Sequence, residues 1–389
     1  MKVTQRYKIK IFQNIFFVLF CFITFASLTV GCDSSSEVEE LPNKASENIN
    51  YAPQPGEDWE VSSPEEEGVD PLLVEDLYLK ASEMEKLYSL LVVKNGNIIA
   101  EDYFNGGSIQ RKSLIQSVSK SYISALVGIA LEEDCLTSLD QKLMDFFPEL
   151  VGQISDPHKK EITIREMLQM RSGYPDEETH QSFLDALYWG EYPELIIDFP
   201  LVSEPGEKFN YSNLTYSWLA IILSRTCEEN LRDYAKDRLF EPIDTEVGDW
   251  LQDRDGYYIG SGGIHVTARD AAKFGLLYLN DGMYEGHQIL PSNWVRESLI
   301  NYSRKTRGNI ASFRNLGYGY GWWTAKIGRH ECTFAWGHGG QLIVLLDELN
   351  MMVVSTADPF FGQHDGNSWK HEKAVFNLVG DFIKSLPGD

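Results

Sequence analysis

Apolar positions along the chain alternate between strand-like runs and helical periods, and together they predict an α+β protein. Leu87 to Val93 and Ile98 to Phe104 are β-rich runs on either side of Lys94-Asn95-Gly96-Asn97, and an Asn-Gly pair between two such runs is a strong hairpin signal. A second hairpin is predicted from Leu342 to Leu346 and Met351 to Thr356 around a turn at Asp347 to Asn350, preceded by the run Thr333 to Trp336. Helices are marked by their caps. Asp70-Pro71 opens one through about Met84, Thr163 caps one over Ile164 to Leu168, and Thr267-x-x-Asp270 opens one through Leu279 that stops at Asp281-Gly282. A core helix is expected from Ser117, with Val118, Ile123, Leu126, Val127, Ala130 and Leu131 leaving it little polar surface, and a closing helix runs from about His371 to Ser385. From about Ser172 to Trp250 the pattern is helical and loop-like. The expected architecture is therefore an antiparallel sheet flanked by helices, with a mostly helical second lobe inserted into it.

The N-terminus follows a different logic. Lys2, Arg6, Lys8 and Lys10 precede an apolar run from Ile15 to Val30, which is the layout of a secretion signal. It ends Leu28-Thr29-Val30-Gly31-Cys32 and resembles a bacterial lipoprotein signal, in which the cysteine is lipidated and becomes the mature N-terminus; Thr29 stands where an aliphatic residue is usual. Residues 1–31 are thus expected to be a signal peptide, 32–58 an acidic, Ser-, Pro- and Asn-rich spacer, and 59–389 the folded domain. The expected location is the bacterial cell envelope, lipid-anchored to a membrane through Cys32 and facing outside the cytoplasm.

Charge narrows the partners. The formal net charge is −24, and loss of residues 1–31 removes four basic side chains and no acid, taking it to −28. With no basic cluster beyond the N-terminus, nucleic acid is excluded as a partner and an anionic substrate gains nothing from steering. Beyond Cys21 and Cys32 only Cys135, Cys227 and Cys332 remain, an odd number without metal-type spacing, so neither a disulfide framework nor a metal site is expected, although one pair could bridge. Nothing in the sequence speaks to the oligomeric state.

The chemistry is expected at Gln116-Ser117-Val118-Ser119-Lys120. Ser117 and Lys120 are three apart and project from one helical face, so an amine can take a proton from a hydroxyl that is otherwise a poor nucleophile. Downstream, Tyr211 and Asn213 are two apart in a segment after the Glu204-Pro205-Gly206-Glu207 turn, where both can point one way. Gly337-His338-Gly339-Gly340-Gln341 puts a glycine-flanked histidine on a strand, a backbone that something must approach closely. The G-x-S-x-G and H-E-x-x-H signatures are absent.

Ser117-x-x-Lys120, Tyr211-x-Asn213 and His338-x-Gly340, in that order, resemble the serine β-lactamase and penicillin-binding protein superfamily. The closer likeness is to class C β-lactamase-related serine hydrolases, which include esterases and 6-aminohexanoate-oligomer hydrolases. It covers about Trp59 to Pro387. The resemblance implies a β-lactamase/transpeptidase-like fold, no cofactor, and a small-molecule ester or amide substrate cleaved through an acyl-enzyme. It further implies Ser117 as nucleophile, Lys120 as the lysine sharing its proton, Tyr211 as general acid or base, and an oxyanion hole from the backbone N–H groups of Ser117 and Gln341. Asn213, His338, Gly339 and Gly340 would contact substrate. Where relatives usually carry Lys-Thr-Gly or Lys-Ser-Gly this chain has His338-Gly339-Gly340, which removes the lysine that attracts a substrate carboxylate. The alternatives are a peptidoglycan D,D-carboxypeptidase or β-lactamase on the same residues, and a non-catalytic binding protein on the same fold. The aromatic run Tyr318, Tyr320, Trp322, Trp323 and Trp336 would suit an apolar acyl or amide group.

Overall fold

The computed structural model describes residues 50–54, 56, 58–177, 192–304, 306–362 and 367–387. The expected signal, its Cys32 and the spacer as far as residue 49 lie outside the described residues.

The first hairpin forms as the Asn-Gly signal requires. Strands β1 (Leu87–Lys94) and β2 (Asn97–Tyr103) are joined by Asn95 at φ 52° and Gly96 at φ 87°, two left-handed residues that match the right-handed twist of the strands. The chain continues through the short β3 (Ser113–Leu114) and β4 (His265–Val266), which pair with each other, and through the two-residue strands β5 (Met283–Tyr284) and β6 (His287–Gln288). Strands β7 (Ser303–Arg304), β8 (Phe313–Tyr318), β9 (Trp323–Ile327), β10 (His330–Gly337), β11 (Gln341–Leu346) and β12 (Met351–Ala357) complete the main sheet. It is an eight-stranded antiparallel sheet in the order β2-β1-β12-β11-β10-β9-β8-β7.

Helices explain why the central strands read as unbroken apolar runs: β11 and β12 are buried at every position because both faces are covered. Helix α1 (Pro71–Ser82), with Asp70 capping the Leu72 amide, packs with the C-terminal helix over one face. Helix α2 (Ser119–Glu132) is buried from Ser119 to Ala130. Helix α3 (Ile164–Leu168) carries the expected Thr163–Glu166 capping box, and the second lobe holds α4 (Tyr192–Asp198), α5 (Asn213–Thr226) and α6 (Leu231–Ala235). Helix α7 (Ala268–Leu279) opens at the Thr267–Asp270 box and lies on β1, β11 and β12, followed by α8 (Ser292–Ser298) and the closing α9 (Ser368–Ser385). The α+β class and the helical second lobe are thus as the patterning indicates.

The stretch from Asn50 to Asp58, placed in the spacer by its composition, runs against the domain where it is described. Glu101 N–H donates to Tyr51 O at 2.9 Å, and the buried Arg269 guanidinium reaches Gln54 O, Asp58 Oδ1 and Glu101 Oε2, each at 2.6 Å. Apart from Tyr51, which packs on Tyr78, this polar stretch carries little apolar signal for such anchoring, which depends on a basic partner far along the chain. Of the three cysteines among the described residues, Cys332 is buried in β10, whereas the Cys227 thiol at the end of α5 meets the Cys135 thiol beyond the end of α2.

Candidate active site

Ser117 lies not in the α-helix but in a 3-10 turn, Gln116–Val118, that feeds it. The cause is Gln116, held at φ 49°, a left-handed conformation that costs a non-glycine residue energy and that clusters at functional sites. Ile115 N–H donates to Ile264 O and Val118 N–H to Ile115 O, which fix the turn between β3 and α2. One turn on, Lys120 is 1% exposed, and this burial is what makes the pair chemically distinct from a surface S-x-x-K. Its Nζ donates to Ser117 Oγ at 2.8 Å, to Asn213 Oδ1 at 2.8 Å and to the carbonyl of Ser261 at 2.7 Å.

The second lobe delivers its two residues from one short segment. Ser212 caps α5 and Asn213 is the helix's first residue, so the Asn213 side chain reaches Lys120 while Tyr211, just outside the helix, lays its ring 4.8 Å from Lys120 Nζ. Holding this segment is Glu177, a carboxyl with no exposed surface. Its oxygens accept from Ser212 Oγ at 2.7 Å, Asn213 N–H at 2.7 Å and Leu214 N–H at 3.3 Å, satisfying amides that the helix start leaves unpaired. Burial pushes the Glu177 carboxyl up to about 7, against the pull of those hydrogen bonds.

The third motif is the turn between β10 and β11, not a strand position: Gly337 pairs with Gln341 and His338, Gly339 and Gly340 form the reversal. Gly339 at φ 87° and Gly340 at φ 98° adopt conformations open to glycine, and a Cβ on Gly340 would lie 2.7 Å from Val375 Cγ2. A Cβ on Gly337 would lie 2.2 Å from Ile115 O, so this glycine lets β10 rest on the turn that carries Ser117. The Gln341 side chain binds Ala357, donating to its carbonyl at 2.8 Å and accepting from its amide at 3.1 Å. His338 Nδ1 lies 2.8 Å from Oε2 of Glu372 on α9, a carboxylate that is 1% exposed and also accepts from Trp336 Nε1 and Gly339 N–H.

The aromatic run divides. Trp323 stacks on Tyr211 at 5.5 Å, Tyr318 meets it edge-on at 6.2 Å, and Trp336 packs against Trp323 at 5.2 Å, forming one wall of the site. Tyr320 and Trp322 do not belong to it. Trp322 packs on Phe274 and Tyr278 of α7, and Tyr320 stacks on Tyr302, both in the core. Into the wall comes a residue the sequence reading did not single out: the Arg307 guanidinium sits 5.0 Å from the Tyr211 ring and 5.6 Å from the Trp336 ring, ion-paired with Asp176 at 3.3 Å. Ser261, Glu177, Glu372, Arg307 and Asp176 are the site residues that motif reading missed. Only Ser261, inside the Gly260 to Gly263 cluster, lay in a stretch marked by glycine.

The structure therefore brings Ser117, Lys120, Tyr211 and Asn213 into direct contact and sets the His338–Gln341 turn beside them. Among the described residues no group of three or more His, Cys, Asp or Glu side chains is arranged to hold a metal ion. The chain is 24% identical over 269 residues to the 6-aminohexanoate-dimer hydrolase of Paenarthrobacter ureafaciens, covering 65% of this chain and 68% of the relative. Its fold is similar to that of EstCE1, a hydrolase with promiscuous acyltransferase activity (TM-score 0.66, 15% identity, 81% of this chain and 98% of the other). It is also similar to the octameric penicillin-binding protein homologue from Pyrococcus abyssi (TM-score 0.61, 19% identity, 81% and 77%). A family model described as Beta-lactamase matches residues 88–360, and with the fold and its serine-hydrolase neighbours this establishes that the chain belongs to the Beta-lactamase family.

Proposed function

We propose that the protein is a serine hydrolase that cleaves an ester or amide bond through an acyl-enzyme on Ser117. The observation that carries this reading is the Lys120 Nζ contact with Ser117 Oγ at 2.8 Å, held in place by Asn213 and Ser261 on a side chain shut off from solvent. With Lys120 acting as a neutral amine, Ser117 Oγ attacks the acyl carbon as its proton passes to the Lys120 Nζ lone pair, and Tyr211, whose ring faces Lys120, serves in the transfer to the leaving group. The oxyanion that develops is met by the main-chain N–H groups of Ser117 and Gln341, supported by the close seating of Gly337 on the turn before Ser117. Water then releases the acyl group by the reverse proton path. The name of the 6-aminohexanoate-dimer hydrolase relative favours amides within the substrate range. The lipoprotein-like start, Leu28 to Cys32, favours an enzyme tethered at the bacterial cell envelope outside the cytoplasm. A fluorophosphonate probe followed by peptide mapping tests the mechanism: the adduct is expected on Ser117 and absent from Ser117→Ala, and a folded wild type that takes no label would overturn it.

A further inference from the structure

The chain lacks the third-motif lysine, and the structure adds something that a histidine-for-lysine exchange does not convey. Glu372 reaches the site from the C-terminal helix. Among the described residues its two oxygens meet N–H donors: Trp336 Nε1 at 2.7 Å on one, and Gly339 N–H at 2.8 Å and the His338 ring at 2.8 Å on the other. That is the surrounding of a carboxylate, and the Nδ1 contact with Glu372 fixes the orientation of the ring. The charge balance follows directly. With Glu372 ionised, the pair is neutral overall when the imidazole is protonated and negative when it is not, so no state of His338 restores the net positive charge of a lysine at this corner. The other cation at the wall, Arg307, is likewise matched, by Asp176 at 3.3 Å. Lys120 donates to a hydroxyl, an amide oxygen and a carbonyl, all uncharged acceptors, but deep below the wall.

We propose that Glu372 is a specificity-determining residue: by fixing His338 in one orientation and cancelling its charge, it tunes the site for uncharged esters and amides and against acyl groups that carry a carboxylate. The inference rests on the hydrolase reading and deepens it. Glu372 is a positioning residue, since it acts on substrate through His338 and through the Gly339 amide of the same turn. The attraction forgone is large enough to see. An unmatched positive charge near the acyl carboxylate would be worth about tenfold or more in kcat/KM, most of which an adjacent carboxylate removes.

The test uses two esters with one leaving group, p-nitrophenyl butyrate and the p-nitrophenyl monoester of succinate, in low-salt buffer at pH 6, where an imidazole without a carboxylate partner still carries its proton for the most part. The readout is the ratio of kcat/KM for the neutral ester to that for the carboxylate ester, which a merely structural loss would not move. Wild type is expected to favour the neutral ester by about tenfold or more, and Glu372→Gln to lower that ratio by about tenfold. His338→Lys alone is expected to move the ratio less than about threefold, because Glu372 then pairs with the new ammonium, whereas the double variant inverts it. Should Glu372→Gln fail to fold, the His338→Lys enzyme still decides. A Glu372→Gln ratio within twofold of wild type, or inversion by His338→Lys alone, overturns the proposal while leaving the hydrolase reading intact. A folded wild type that cleaves neither ester and takes no fluorophosphonate overturns both.

Discussion

Lys120 Nζ stands 2.8 Å from Ser117 Oγ and 2.8 Å from Asn213 Oδ1, so one nitrogen ties the Ser117 turn to the first residue of a helix from the other lobe. A guanidinium cannot stand in for it. Arginine is bulkier, does not lose its proton in the working range, and would have to fit where 1% of the lysine is exposed. Lys120→Arg and Lys120→Ala are both expected to lower kcat/KM for p-nitrophenyl butyrate by about 10²- to 10⁴-fold, the usual worth of a proton-transfer residue. A Lys120→Arg enzyme within tenfold of wild type would show that Lys120 is not the base.

Glu177 gives the fold a pH dependence whose sign is fixed by its burial. Its carboxyl is raised to about 7 in the folded protein from an ordinary 4.5, so folding favours the protonated form. The stability it contributes is therefore fully present below about pH 4.5 and is lost as pH rises through about 7. The full span is about 3 kcal/mol at about 1.4 kcal/mol per unit. Glu177→Gln keeps an acceptor for the Ser212 and Asn213 donors and cannot titrate, so denaturant unfolding at pH 5 and pH 8 should show a smaller stability difference for the variant than for wild type. Equal differences would mean that Glu177 titrates as it does in the unfolded chain.

Local signals carried far in this sequence, and long-range ones did not. The Asn95-Gly96 turn, the Thr163–Glu166 and Thr267–Asp270 boxes and the Asp70 cap each depend on residues within a few positions of each other, and each sits where its motif puts it. Ser117, Lys120, Tyr211 and Asn213 were legible because their spacing is itself the motif. Glu177 and Glu372 were not, since each acts on a segment more than thirty residues away, the separations being 36 to Asn213 and 33 to Gly339. The aromatic run misled for a related reason. Neighbouring rings at the β8–β9 turn leave on opposite sides, so Trp323 joins the wall while Trp322 goes to α7, a division that composition cannot express.

The two half-buried thiols offer a check on the junction of the lobes. Burial, and then the hydrogen bond with Cys135, push the Cys227 thiol up to about 12, so almost no thiolate is present at pH 8. Iodoacetamide should modify Cys227 in the folded protein at least about tenfold more slowly than a free cysteine, with full labelling of the reduced protein in denaturant. Labelling at the rate of a free cysteine would place the ends of α2 and α5 further apart than the thiol contact requires.

Gly337 tests whether the third motif and the Ser117 turn work as one unit. An alanine there would put its Cβ 2.2 Å from Ile115 O and 3.2 Å from Gln116 Cβ, so either the end of β10 or the turn before Ser117 must move. Crowding of this kind costs about 1–3 kcal/mol of stability. The catalytic loss should exceed it, because the Ser117 and Gln341 amides lie on the two main chains being forced apart, and loss of one aligned oxyanion donor lowers kcat by about 10²- to 10³-fold. Gly337→Ala assayed well below its melting temperature should therefore remain folded by circular dichroism, bind the fluorophosphonate slowly, and lose kcat more than it gains in KM. A folded Gly337→Ala enzyme with kcat within threefold of wild type would show that the contact with Ile115 is packing alone and that Gln341 contributes no oxyanion donor.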